Sequence, residues 1–181
     1  MPQYQSQHIK RLVLGSVSKG WLYTLFVCLI CIGNVSFALT LKPTSLSKLV
    51  SESPLIIRGR VITQNMRRGI PPKESGRWIF TLSKVQVLNC IKVKDTCPSE
   101  VMVSQIGGSL DGITLTIPGS KLLATDQEVI LFLTPKPESG HFVITGFTQG
   151  MRVIGQEISI KDANELIYEI SQVLLNTPQT Q

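Results

Sequence analysis

Glu128-Val129-Ile130-Leu131-Phe132-Leu133-Thr134 is the stretch whose reading decides the fold. Five consecutive apolar residues leave no polar face, so neither side of this segment can meet water. It is short, β-rich and bounded by turn residues, with Pro135 and Pro137 closing it. Length and composition together predict a central buried strand over 128–134.

Working upstream, Ile113-Thr114-Leu115-Thr116-Ile117 alternates cleanly and stops at Pro118-Gly119. Val101 to Ile106 reads as another strand, ended by Gly107-Gly108. Trp78 to Leu88 is longer: Phe80 and Leu82 share one face, while Val85 and Val87 have the other parity. That switch predicts a bulge near Ser83-Lys84 or a strand buried on both faces in turn. Leu55 to Thr63 is a further strand, in which Gly59 predicts a bend or bulge. Asn65 to Gly76 reads as a loop, with Gly69, Pro71, Pro72 and Gly76 as breakers. Before these strands, Thr44 or Ser45 can cap a short helix carrying Leu46, Leu49 and Val50, ended by Pro54.

Downstream, Phe142–Thr148 and Met151–Ile154 read as a strand pair joined at Gln149-Gly150, which Glu157–Ile160 can extend. The chain closes with an amphipathic helix. Asp162 is its expected N-cap, with Glu165 completing a capping-box pattern, and Leu166, Ile167, Ile170, Val173 and Leu174 form its apolar face. The fold expected is mainly β: an antiparallel OB-like barrel or small sandwich of six to seven strands, with a short N-terminal helix and a C-terminal amphipathic helix. No crossover helices interrupt the strands, which disfavours a doubly wound parallel sheet.

The first 38 residues have the layout of a secretory leader. Lys10, Arg11 and Lys19 form a positive n-region, Trp21 to Gly33 is almost wholly apolar, and Ser36 and Ala38 are the small residues of a cleavage site. The expected cut lies between Ala38 and Leu39 and leaves 143 of the 181 residues, enough for one ordinary domain. The expected organisation is a signal peptide (1–38), a single β-rich domain (39–176) and a disordered tail (177–181). The expected location is periplasmic or secreted. The alternative is an uncleaved anchor with the domain outside, the only case in which membrane contact is expected. Thr24, Gly33, Asn34 and Ser36 dilute the apolar run, and about 20 apolar residues are needed to cross a bilayer. Neither Cys28 nor Cys31 follows the small residue a lipid-anchor signal requires.

Export changes what the cysteines and charges mean. Cys28 and Cys31 leave with the leader, and Cys90 and Cys97 remain as an even pair in an oxidising compartment. They are expected to close a short disulfide loop around Lys92, Lys94 and Asp95; they do not form a Cys-x-x-Cys redox motif. The mature part holds 15 Lys and Arg against 12 Asp and Glu. Between Leu55 and Arg77 lie Arg58, Arg60, Arg67, Arg68, Lys73 and Arg77, opposed only by Glu74. With Trp78 beside Arg77, these arginines are the candidate binding residues for an anionic partner, set against the plainer reading of a solvated strand and loop.

A resemblance follows from several of these segments in order. Ile57-Arg58-Gly59-Arg60-Val61 comes after a short Leu/Val helix, and Thr81-x-x-x-Val85-x-Val87-Leu88 follows. Then come Gly107-Gly108, Ile117-Pro118-Gly119, Glu128 to Leu133 and Thr148-Gln149-Gly150. Over residues 46–154 the chain resembles a group of small exported bacterial β-proteins of uncharacterised function, which implies a fold and no activity. The opening of the domain also resembles the netrin-like module of tissue inhibitors of metalloproteinases, an OB-type barrel. In those inhibitors an N-terminal cysteine binds the protease zinc. Here the expected mature chain begins Leu39-Thr40, so that resemblance implies the barrel shape and not the mechanism.

The remaining motifs exclude more chemistry than they suggest. The mature chain has one histidine, His141, which rules out two-His metal sites. A hydrolase would have to use His141 with a serine and Asp111, but no Gly-x-Ser-x-Gly elbow is present. Gly107-Gly108-Ser109-Leu110-Asp111-Gly112 is followed by a strand rather than a helix, so it reads as a hairpin and not a phosphate loop. Asp126 and Glu128 are close carboxylates that alternation can place on one exposed face, a calcium site only if further ligands complete the six to eight oxygens needed. Trp78 with Arg58 and Arg60 matches an OB-type surface for single-stranded nucleic acid, but export argues against that partner. The expectation is a non-enzymatic exported binding or accessory protein without metal or cofactor, engaging a protein or polyanion of the cell envelope. The alternatives are a regulator of an exported metalloprotease and the His141 hydrolase.

Overall fold

The computed structural model describes residues 43–69 and 78–176, all within one unit, Leu39–Gln181. Helix α1 (Leu46–Glu52) leads into β1 (Leu55–Gly69), β2 (Trp78–Lys92) and β3 (Glu100–Ile106). A small hairpin, β4 (Gly108–Leu110) and β5 (Ile113–Leu115), precedes β6 (Glu128–Lys136) and β7 (His141–Ile144). A single 3-10 turn (Phe147–Gly150), β8 (Met151–Ile154) and helix α2 (Ile160–Asn176) complete the order. The expected leader, the Ala38–Leu39 cut, Arg77 and the 177–181 tail lie outside the described residues. Among the described residues no helix is long and apolar enough to cross a membrane.

The strand pairings form a ring. β1 pairs with β2, β2 with β3, β3 with β7, β7 with β6, and β6 returns to β1. All are antiparallel except the short β3–β7 contact, Val103 opposite Phe142. β8 adds to β6 beyond β7, and β4–β5 is a separate two-stranded sheet.

Strand β6 explains how the interior is organised. Val129, Leu131 and Leu133 enter one core with Ile57, Val61, Val85, Val103 and Val153. Ile130 and Phe132 point the other way, into a second core with Leu49 and Val50 of α1 and Ala163 and Ile170 of α2. Alternation across a pleat thus places one apolar run in two layers. β1 repeats the device, with Leu55 and Ile57 in the first core and Ile56 in the second.

Several boundaries differ from the sequence expectations. β1 continues through Asn65–Gly69, expected to be loop, because its backbone pairs residue by residue with Trp78–Leu82. Regular backbone hydrogen bonding there overrides a polar composition. β2 needs no parity switch: Ile79, Thr81, Ser83 and Val85 all face inward, and the inward signal was hidden because two of them are polar. Both are satisfied, Thr81 by donating to the Gly107 carbonyl at 2.8 Å and Ser83 by accepting from Gln64 Nε2 at 3.2 Å. The register shifts fall at Arg58/Gly59, as Gly59 predicts, and also at Ile56/Ile57 and Val61/Thr63.

β6 runs past Pro135 to Lys136, where it pairs with His141. β7 and β8 do not form the expected hairpin; each pairs with a different part of β6, with the 3-10 turn between them. Glu157–Ile160 adds only one bridge, Ile154 to Ile158. Helix α2 starts earlier than expected: Asp162 N–H donates to Ser159 Oγ at 3.2 Å and Ser159 N–H donates to the Asp162 carboxylate at 3.2 Å. Ser159 is therefore the cap and Asp162 its reciprocal partner. For α1, Ser45 is the N-cap, accepting from Lys48 N–H. Cys90 and Cys97 are disulfide-bonded, closing the loop after β2.

Candidate functional site

β1 carries four of the candidate arginines, and the fold disperses them. Arg58 and Arg60 lie at the β1–β6 seam, opposite Ile130 and Glu128. The Glu128 carboxylate accepts from Arg58 Nε at 2.6 Å and Arg60 Nη2 at 3.3 Å. Burial pushes the Glu128 carboxyl up, but the two guanidiniums outweigh it and hold it below its ordinary value. Arg58 and Arg60 thus share a single carboxylate, which offsets one of their two charges. Arg68 reaches Asp111 at 3.4 Å. Arg67, one residue away and on the opposite face, is exposed and has no ion-pair partner among the described residues. From Arg60 to Arg67 a strand advances roughly 20 Å, so these arginines do not make one patch.

Arg67 stands instead on the outer face of the sheet. Inward parity on β2 belongs to Ile79, Thr81, Ser83 and Val85, so Trp78, Phe80 and Leu82 face outward with it. Arg67 is opposite Phe80, and Phe80 is opposite Ile106 of β3. Ser104 and Ile106 share that face, since Val101 and Val103 enter the core. On β7, Phe142 packs on the core and His141 and Val143 take the outer side. A Cβ at Gly69 would lie 2.7 Å from the Phe80 ring, so only glycine there lets the ring lie flat across β1.

Two recesses share Ser104 of this face, and the larger also reaches Gln105 and Ile144, which have the parity of the core side. The larger, about 480 Å3, is walled by Trp78, Ile106, Ile117, Val143, Ile144 and Phe147. Its polar residues include Gln105 and Thr148, both engaged within the fold. Gln105 donates to the Lys121 carbonyl and accepts from Leu123 N–H, each at 2.9 Å. Thr148 donates to the Gly119 carbonyl at 3.2 Å. The smaller recess, about 270 Å3, gathers Arg67, Phe80, Lys136 and His141 with Ser139 and Glu138. Lys136 is 3.7 Å from Glu138, a long exposed pair that leaves the recess net positive.

Phe147 is the most unusual residue of the larger recess. It is 60 % exposed, and its φ of 58° places a bulky side chain in the left-handed region, directly after Gly146 at φ 67°. That conformation costs about 1–2 kcal/mol for a non-glycine residue. The fold holds it through the Thr145 N–H, which donates to the Phe132 carbonyl at 2.9 Å, and the Gln149 N–H, which donates to the Gly146 carbonyl at 3.2 Å.

The other sequence candidates fall elsewhere. Trp78 is half-buried in the apolar wall, away from Arg58 and Arg60. Asp111 does not line the recess that holds His141, and among the described residues no hydrogen bond reaches the His141 ring. The arrangement of a Ser-His-Asp triad is therefore not assembled there. Asp126 sits in a turn with φ 67°, and Glu128 is committed to its arginines. Among the described residues no group of three or more potential metal ligands occurs.

Phe147, Ile106 and Val143 were missed from the sequence. One signal pointed to them: Phe80 and Leu82 are apolar on the parity opposite the core, so the strand has an outer face that also shuns water. No known family matches the chain, and no curated protein is similar to it.

Proposed function

We propose that this chain is an exported binding protein without catalytic turnover, recognising an anionic protein or polyanion of the cell envelope at the outer sheet face. The observation that carries the reading is the convergence of Arg67 of β1 and Lys136 of β6 on one recess, where Glu138, 3.7 Å from Lys136, leaves a net positive charge and Arg67 is without an ion-pair partner among the described residues. Two cationic side chains brought together from β1 and β6 focus a field that scattered surface charges do not. Export is supported by the leader pattern of the first 38 residues and by the Cys90–Cys97 bond, since disulfides persist in oxidising compartments. The arginine run read from the sequence enters the proposal through Arg67, because Arg58, Arg60 and Arg68 already have carboxylate partners.

Retention on an anionic matrix at low ionic strength tests this. Arg67→Ser is expected to elute at clearly lower salt than the wild type. Arg60→Ser, which removes the same unit of charge but outside the recess, is expected to elute much closer to it. Equal retention of Arg67→Ser and wild type would overturn the assignment.

A further inference from the structure

We infer that the two adjoining recesses form one site for a single-chain anionic amphiphile, with the alkyl chain in the larger recess and a carboxylate or phosphate head in the smaller. The inference rests on the anion-binding part of that reading and goes beyond it in the ligand, a small amphiphile in place of a protein or polyanion. Three observations carry it. The larger recess has a volume of about 480 Å3 and six apolar side chains in its wall, within the roughly 300–1,000 Å3 range of small-molecule sites. The smaller recess is cationic and joins it at Ser104. The register aligns them: Arg67, Phe80 and Ile106 are neighbours in one row across β1, β2 and β3, so the surface passes from charge to aromatic ring to aliphatic wall.

Charge complementarity selects the occupant. A wholly apolar ligand would leave Arg67 and Lys136 unused, and a small hydrophilic anion would leave the larger recess filled with water against apolar walls. An amphiphile uses both, its head accepting from the Arg67 guanidinium and the Ser104 hydroxyl lying at the junction. The Ser104 hydroxyl has no hydrogen-bond partner among the described residues. Phe147, exposed and held in the left-handed region, lines the larger recess and would cover part of the tail there.

The probes are dodecanoate and dodecyl phosphate, below their micelle-forming concentrations, with dodecanol as the uncharged control and butanoate as the short one. The chain has two tryptophans, Trp21 and Trp78, so in full-length protein carrying Trp21→Phe the emission reports on the recess wall alone. Dodecanoate or dodecyl phosphate is expected to shift that emission saturably and butanoate is not; the tighter of the two names the source of the head. Arg67→Gln is expected to weaken the charged probes about tenfold, the loss of one charge-assisted hydrogen bond, and to leave dodecanol unchanged. Phe147→Ser is expected to weaken all three long-chain probes, and Lys161→Gln, an exposed residue on α2, none. Equal binding of the charged probes to wild type and Arg67→Gln would overturn the proposal, as would the lack of any saturable shift. If the shift is lacking but matrix retention still depends on Arg67, the anion-binding reading survives and the amphiphile does not. If both are lost, both readings fail.

Discussion

Glu128 holds two of the arginines that a charge count would assign to a partner, and its titration makes this measurable. Burial alone would raise its carboxyl, but the hydrogen bonds and charges of Arg58 and Arg60 bring it below the ordinary value. A carboxyl with a folded pKa below its unfolded value of about 4.3 contributes stability that is complete above that value. The contribution is lost as pH falls through the folded pKa. Glu128→Gln keeps the shape and removes the charge. At pH 7 it is expected to lower unfolding stability by about 1–2 kcal/mol, a partly buried pair lying between exposed and buried cases. Denaturant unfolding at pH 7 and pH 3 checks this, and the gap between variant and wild type should narrow at the acid end. A gap independent of pH would mean the carboxylate charge contributes nothing.

At the scale of the element, β1 shows how one strand serves two cores and an outer face. Its bend is built at Gly59, where a Cβ would lie 2.6 Å from Val85 Cγ1 and 2.7 Å from the Gln86 carbonyl oxygen. Neither neighbour can retreat easily: Val85 is fully buried and the carbonyl is backbone. Gly59→Ala is therefore expected to cost roughly 1–3 kcal/mol through overpacking, seen as a lower unfolding midpoint with little change in β content. A variant as stable as wild type would show that the strands part freely there. This bend was legible in the sequence because glycine inside an apolar strand has few other uses, and β6 was legible because five apolar residues in a row admit one environment. The second half of β1 was not legible. Asn65-Met66-Arg67-Arg68 has no apolar alternation, and only its pairing with β2 makes it strand. The α2 cap was misplaced by three residues because Ser159 and Asp162 are both capping residue types, and their reciprocal bonds decide between them. The candidate site was legible only in part: Arg67, His141 and Trp78 stood out as residue types, whereas Ile106, Val143 and Phe147 come together only through the β3–β7 contact and the 3-10 turn.

Across the whole molecule, the two apolar clusters are joined through strands rather than separated by them. Ile130 and Phe132 pack under the helices while Val129, Leu131 and Leu133 fill the strand ring, all on one nine-residue element. Neither layer can loosen without exposing the opposite side of β6, so the helix layer and the ring should unfold in a single transition. Ile170, fully buried on α2 and in contact with the second cluster, probes this coupling. Ile170→Ala is expected to lower stability by about 2–4 kcal/mol through lost burial and the cavity left behind. Although the residue lies in the helix layer, the loss should appear equally in the far-UV helical signal and in the emission of Trp78 on the outer sheet face. Thermal unfolding of the Trp21→Phe chain, followed by both signals with and without Ile170→Ala, makes the comparison. Coincident midpoints that shift together are the outcome this packing requires. A helical signal that melts first while Trp78 stays native would show that β6 holds the ring closed by its own pairings, with the helices only laid against it.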